Sequence, residues 1–155
     1  MSLYILDTGI LLHYVRGSNF AKQIDQTHAP SLNPNIAMIS VVSVAEIIAL
    51  AMQRKWGEAK QQTFRDLLRK FPTVDINRDA IINRFAEIDS YRIGKHPSLS
   101  LPAGASARTM GDNDIWIAAT ASVVKGTLIT MDEDFVFLNK VFLDVVYVPQ
   151  TISAK

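Results

Sequence analysis

Leu3-Tyr4-Ile5-Leu6-Asp7-Thr8-Gly9-Ile10-Leu11-Leu12 changes its hydrophobic period halfway along. The run Leu3 to Leu6 is apolar without alternation, as in a short buried strand, and it stops at the polar turn Asp7-Thr8-Gly9. Helical spacing follows at once, with Ile10, Leu11, Tyr14 and Val15 on one face up to Arg16-Gly17. A buried strand feeding directly into a helix is the opening of an α/β fold, and it leaves Asp7 at the carboxyl end of the strand.

The rest of the chain repeats the pattern. A second helix is predicted over about Ser18 to Thr27, a Pro-bearing loop over His28 to Asn35, and a second strand over Ile36 to Ile39. Ser43 is expected to open a helix through about Arg54, and another follows Gly57 to about Lys70. Phe71-Pro72 breaks the pattern before a third strand, Thr73 to Ile76. A helix from Arg78 to about Arg92 carries Ile81, Ile82, Phe85 and Ile88 on one face. Gly94 to Gly111 has no periodicity. Asp112 to Val124 reads as a helix capped by Asp112 or Asn113, Thr127 to Thr130 as a strand ending in Met131-Asp132-Glu133-Asp134, and Val145 to Val148 as a last strand. Strands separated by helices predict right-handed crossovers, a mostly parallel central sheet covered on both faces, and one domain over residues 1–155.

Composition narrows the chemistry. The chain of 155 residues is 48% hydrophobic and 20% charged, which is globular. With no cysteine, thiolate chemistry and zinc fingers are excluded, and any metal must be held by oxygen or imidazole. A net charge of +1 gives no overall pull on nucleic acid, so affinity for RNA has to come from local cations or from metals bridging to phosphate. Asp7 interrupts the first apolar run, which is wrong for a secretion signal, and Glu46 interrupts Ile36 to Met52, which is too short to span a membrane. A cytoplasmic protein with no membrane partner is expected.

Four acids stand out by position. Asp7 and Asp132 lie just past two different strands, which a parallel sheet brings to one edge; each could equally cap the turn that follows. Glu46 sits in the apolar Ser43-Val44-Ala45-Glu46-Ile47-Ile48, where an ionised carboxylate needs a partner. Ser43 and Glu46 also fit a capping box. Asp114 falls in the first turn of its helix, where the dipole favours negative charge, and a purely structural role there is open too. Converging acids repel: two unit charges 4 Å apart cost about 4 kcal/mol at an effective dielectric of 20. A hard divalent cation such as Mg²⁺ or Mn²⁺ would relieve that and would suit phosphodiester chemistry.

Taken together, Leu6-Asp7-Thr8-Gly9-Ile10-Leu11-Leu12, Ser43-Val44-Ala45-Glu46-Ile47, Asn113-Asp114-Ile115-Trp116-Ile117-Ala118-Ala119 and Ile129-Thr130-Met131-Asp132-Glu133-Asp134-Phe135 resemble the PIN-domain family, and within it the VapC toxins. The motifs run in the family's order from residue 3 to about residue 148. The resemblance implies an α/β/α sandwich and a metal-dependent endoribonuclease. Asp7, Glu46, Asp114 and Asp132 match the family's four acids, and Asp134 matches a further acid that some members use for metal. Thr8 and Thr130 match hydroxyl positions beside the metal pocket, and Asn113 a frequent neighbour of the third acid. Implied partners are an RNA substrate, a cognate antitoxin protein and a second copy of the chain, with the helical surface around Ile47, Leu50 and Ala51 as the expected dimer face. The alternatives within the family are a housekeeping RNA-processing nuclease and an inactive module that only binds.

Gly9 departs from the pattern, since the family often has Asn or Ser there, and Gly94 to Gly111 is longer than in compact VapC proteins. Arg108 and Lys95 in that segment are candidates for neutralising flanking phosphates, or are ordinary surface charges. His13, His28 and His96 are expected to be structural or solvated, and Trp116 and Trp56 to be packing residues. A phosphotransferase of the haloacid dehalogenase type is disfavoured, because that class needs a second Asp where Gly9 stands.

Overall fold

The structure is a computed structural model and describes residues 1–150; the last five residues of the expected 1–155 domain lie outside the described part. Five strands form one sheet: β1 (Leu3–Leu6), β2 (Ile36–Ser40), β3 (Thr73–Val74), β4 (Thr127–Thr130) and β5 (Asp144–Tyr147). Their order is β3-β2-β1-β4-β5, and every pairing is parallel, so the expected mostly parallel sheet is entirely so. The helices that make the crossovers are α1 (Thr8–Arg16), α2 (Asn19–Thr27), α3 (Val41–Gln53), α4 (Glu58–Lys70), α5 (Asp79–Arg92) and α6 (Asp112–Val124), with a 3₁₀ turn over Glu133–Leu138.

The sheet alternates between two cores. Ile5 and Leu128 face one side, against Ile81 and Ile88 of α5 and Ile115, Ala118 and Ala119 of α6. Leu6, Ile39 and Ile129 face the other, against Ile10 and Leu11 of α1, Ile47 of α3 and Phe64 of α4. Burial on both faces explains why β1 and β4 read as continuous apolar runs. The result is an α/β/α sandwich. The chain order reverses about β1, because β2 pairs on one side of it and β4 on the other. Loops at the carboxyl ends of β1 and β4 therefore flank a crevice where ligands commonly bind.

Several boundaries differ from the sequence reading. Helix α3 starts at Val41, because the Ser40 hydroxyl accepts from the Val42 amide at 3.1 Å. Ser43 is then inside the first turn, and the Ser43–Glu46 capping box does not form. Strand β3 stops after two residues, where Asp75 begins a turn by accepting from the Asn77 amide at 3.0 Å. The cap of α6 is Gly111, with no side-chain cap bond, rather than Asp112 or Asn113. Ile82 points outward at 43% exposure although Ile81 and Ile88 are fully buried. No helix among the described residues is long and apolar enough to cross a membrane.

Candidate active site

Asp7 leaves β1 with its amide still paired to the Ile129 carbonyl at 3.0 Å, which fixes it at the β1–β4 seam. It is the cap of α1: Oδ1 accepts from the Thr8 amide at 2.8 Å. Oδ2 accepts from the Thr130 hydroxyl at 2.7 Å. The cap and the site are thus one residue, because two donors leave carboxylate lone pairs free. Burial pushes its pKa up, the two donors pull it down, and Asp132 and Glu46 push it up again, with a net rise.

Thr130 is fully buried at the end of β4 and works in both directions: its oxygen also accepts from the Asp132 amide at 3.0 Å. One hydroxyl therefore sets both the first acid and the loop of the fourth. The carboxylate of Asp132 in turn accepts from the Asp134 amide at 2.9 Å and caps the 3₁₀ turn. Glu46 reaches across from α3 and accepts from the Thr8 hydroxyl at 2.7 Å. The Thr8 oxygen lies 2.8 Å from the buried Ser43 hydroxyl, which is free to donate to it once the Thr8 proton is committed to Glu46.

Asp114 stands apart from these. Among the described residues no hydrogen bond reaches its carboxylate, and its pKa is pushed up to about 7, by burial first and then by the charges of Asp7, Asp132, Glu46 and Asp134. Asp7, Glu46, Asp114 and Asp132 line one cavity of about 550 Å³ with Thr8, Gly9, Met131, Glu133 and Tyr147. No basic side chain is among these lining residues. Four segments distant in sequence have brought five carboxylates, Glu133 with these four, around one space.

No three of the described His, Cys, Asp or Glu side chains close tightly enough to grip an ion by themselves. The acids ring the cavity instead of meeting at a point, the arrangement that mutual repulsion favours. The donor set still fits a hard divalent cation: it is all oxygen, it carries no internal counter-charge, and its most strained member, Asp114, has no other partner. Asp134 is exposed and lines an adjoining hollow, and Asn113 is exposed outside the cavity. Lys95 is exposed and lines neither space, while Arg108 lines the adjoining hollow.

A family model of the PIN domain matches residues 4–140. The chain belongs to the PIN-domain family. None of the curated proteins compared with it matches. Among solved structures, this PIN domain is similar to VapBC2 from Rickettsia felis bound to a DNA fragment from its promoter, with a TM-score of 0.71 at 18% identity, covering 94% of this chain and 98% of that one. VapBC-1 from nontypeable Haemophilus influenzae gives a TM-score of 0.71 at 21% identity over 94% and 97% of the two chains. VapBC-5 of Mycobacterium tuberculosis, a member of the VapBC family of toxin–antitoxin systems, gives 0.61 at 20% over 96% and 100%. At these identities the likeness is one of fold.

Sequence reasoning passed over Glu133 and Tyr147, which also line the cavity. Glu133 was hidden between two acids that matched a pattern. Tyr147 could have been found from strand register, since it pairs with Thr130 across β4 and β5. His13 and Trp116 behave as packing groups: His13 is buried with Nδ1 2.8 Å from the Ser18 hydroxyl, and Trp116 packs on Phe85 at 4.2 Å between ring centroids, while His96 faces Glu87 at 3.3 Å.

Proposed function

We propose that this PIN domain is a metal-dependent endoribonuclease, the VapC-like toxin of a toxin–antitoxin pair in the cytoplasm, with Asp7, Glu46, Asp114 and Asp132 as its catalytic acids. The observation that carries the reading is the cavity itself: five carboxylates from four segments, with no basic side chain among the described residues that line it. The family match and the toxin–antitoxin neighbours support the class of reaction and the antitoxin partner.

Mg²⁺ or Mn²⁺ held there would neutralise the phosphate and acidify a water for in-line attack on phosphorus. The chain's own residues do the positioning. Thr130 and the Thr8 amide fix the Asp7 carboxylate, and the Thr8 hydroxyl fixes Glu46, so the two acids keep their places against repulsion. Asp114, without such a partner, gains most from a cation. Asp132 holds the loop that carries Asp134, which lies outward as a further acid toward metal or water. No histidine is among the described residues that line the cavity, so the proposed reaction assigns none a role.

Self-association belongs to the same proposal, through the expected face of α3 without Ile47; Leu50 and Ala51 are half-buried there. Ile47 is fully buried in the core, whereas Ile48 and Met52 on the next positions of α3 are 43% and 75% exposed, so those two would meet a partner.

The test is cleavage of a panel of structured and single-stranded RNAs. The parent is expected to cut only with Mg²⁺ or Mn²⁺, and Asp7→Asn to lose about a thousandfold or more, as removal of several kcal/mol of charge stabilisation implies. Asn keeps the shape and capping ability of Asp. Parental cleavage by a folded Asp7→Asn protein would sink the assignment.

A further inference from the structure

The acid cavity continues past Glu133 and Tyr147. These two residues also wall a second hollow of about 410 Å³, otherwise lined by Arg108, Asp134, Val136 and Phe137. Across both spaces Arg108 is the one basic side chain among the described lining residues. A polyanion arriving at a wall of carboxylates is repelled except where such a charge faces it, so the position of Arg108 bears on how a strand could lie.

Arg108 is held in place from two directions. Its amide donates to the Arg92 carbonyl at 2.8 Å, and its carbonyl accepts from Arg92 Nη1 at 2.9 Å. Arg92 is itself braced by Asp89 at 2.8 Å. The guanidinium carbon sits 5.0 Å from the centroid of Phe137, and Phe137 stacks nearly parallel on the buried Tyr91 at 6.2 Å. Although Glu133 and Asp134 share the hollow, no carboxylate is within ion-pair distance of Arg108 among the described residues. Its charge is anchored, exposed and uncommitted, which separates it from the arginines at residues 65, 69, 84 and 92, all of which pair with acids.

Tyr147 stands between the two spaces. It ends β5 in register with Thr130, whose hydroxyl holds Asp7, so the ring is tied to the acid centre by the sheet itself. It is 39% exposed. A flat aromatic at a groove between a phosphate-cutting centre and a free cation has the makings of a base platform.

We infer that single-stranded RNA runs from the acid cavity over Tyr147 to Arg108, with Tyr147 stacking a base beside the scissile phosphate and Arg108 gripping a backbone phosphate further along. This rests on the ribonuclease reading above. A duplex would not serve, because its bases present no open face to the ring.

The experiment measures binding of a fluorescent single-stranded RNA by anisotropy at several salt concentrations, with Ca²⁺ in place of Mg²⁺, alongside steady-state cleavage in Mg²⁺. Arg108→Gln and Tyr147→Leu are each expected to weaken binding about tenfold and raise KM, with kcat near the parental value. Arg108→Gln should also flatten the salt dependence, lowering the slope of log K against log salt by about 0.7, whereas Tyr147→Leu should leave the slope alone. Tyr147→Phe keeps the ring and should bind as the parent does. If the parent binds and cuts RNA while Arg108→Gln and Tyr147→Leu do so equally well, the track is wrong and the nuclease stands. Equal binding by Tyr147→Leu and Tyr147→Phe would likewise remove the stacking role. A parent that neither binds nor cuts any RNA removes the proposed function and the track with it.

Discussion

The first turns of α1 and α6 face the same cavity and present an Asp to it, yet they are built in opposite ways. At α1 the acid is the cap: Asp7 is 8% exposed and takes one hydrogen bond from the Thr8 amide and one from the Thr130 hydroxyl. At α6 the cap is Gly111, with no side-chain bond, and Asp114, the third residue of the helix, has no donor among the described residues. Both carboxylates are shifted upward, with burial the leading cause in each, but only Asp7 has donors that pull it back. One acid is part of the fold; the other is a cost the fold carries for the sake of the cavity.

If that contrast is real, removing the support of Asp7 should hurt the metal-free protein, and neutralising Asp114 should help it. Thr130→Val is the first break. It keeps the buried shape but strips a donor from Asp7 and an acceptor from the Asp132 amide, so stability should fall by about 2–3 kcal/mol. Affinity for Mn²⁺, followed by calorimetry, should drop about 10–100-fold, as for other outer supports of a metal site. A Thr130→Val protein with parental melting and parental Mn²⁺ binding would mean that Asp7 needs no holding.

The second test is pH. Asp114 titrates near 7 in the fold against 3.8 for the free group, and Asp7 is displaced in the same direction. Folded carboxyls that bind protons more readily than unfolded ones make stability fall as pH rises between those values, and the penalty is complete above about 7. The metal-free protein should therefore be more stable at pH 5 than at pH 8. Because Asp114 is part-exposed and screened, its share should be on the order of 1–2 kcal/mol rather than the ~4 of an undiscounted shift. Asp114→Asn should gain about that amount at pH 8 and less than half of it at pH 5, where the penalty has only partly built up. Saturating Mn²⁺ should reverse the trend, since the cation binds the deprotonated acids and stabilises by mass action. Denaturant melts at the two pH values, with and without Mn²⁺, decide the matter, and a flat profile would remove the repulsion on which the contrast depends.

The sequence showed one of these helix starts better than the other. Asp7 was legible because strand, acid and helix follow each other without a gap, and the same logic located Asp132. The α/β/α layers were legible for the same reason, since burial on both faces leaves unbroken apolar runs. Glu46 was visible as an acid in an apolar helix, but its partner was not: the local pattern suggested Ser43, while the true donor is Thr8, reached only through the packing of α1 against α3. The shortness of β3 and the outward turn of Ile82 depend on what lies across from them in space, which one-dimensional periodicity does not carry. Tyr147 entered the site through pairing register, again a property of two strands and not of one.

The smallest expected effect compares the second helical positions of the two turns, Gly9 in α1 and Asn113 in α6. Asn113 is exposed, and no hydrogen bond to its side chain is seen among the described residues, so Asn113→Ala should leave stability within about 0.5 kcal/mol of the parent. Gly9→Ala is the more informative change because two effects oppose. Alanine is favoured over glycine in a helix by up to about 1 kcal/mol, and the φ of Gly9 is not in the left-handed region, so the backbone raises no objection. Against that, a Cβ at position 9 would lie 2.9 Å from Met131 Cε, closer than carbon atoms tolerate. The obstacle is the end of a flexible thioether at the rim of an open cavity, which can swing aside into the space it lines. The two effects should nearly cancel, giving a net change within about 0.5 kcal/mol by thermal melting. A loss well above 1 kcal/mol would show that Met131 is locked, and that the first turn of α1 is as firmly packed as its acid is hydrogen-bonded. A gain approaching the full helix preference would show the rim to be loose, leaving the two donors of Asp7 as the only rigid part of that turn.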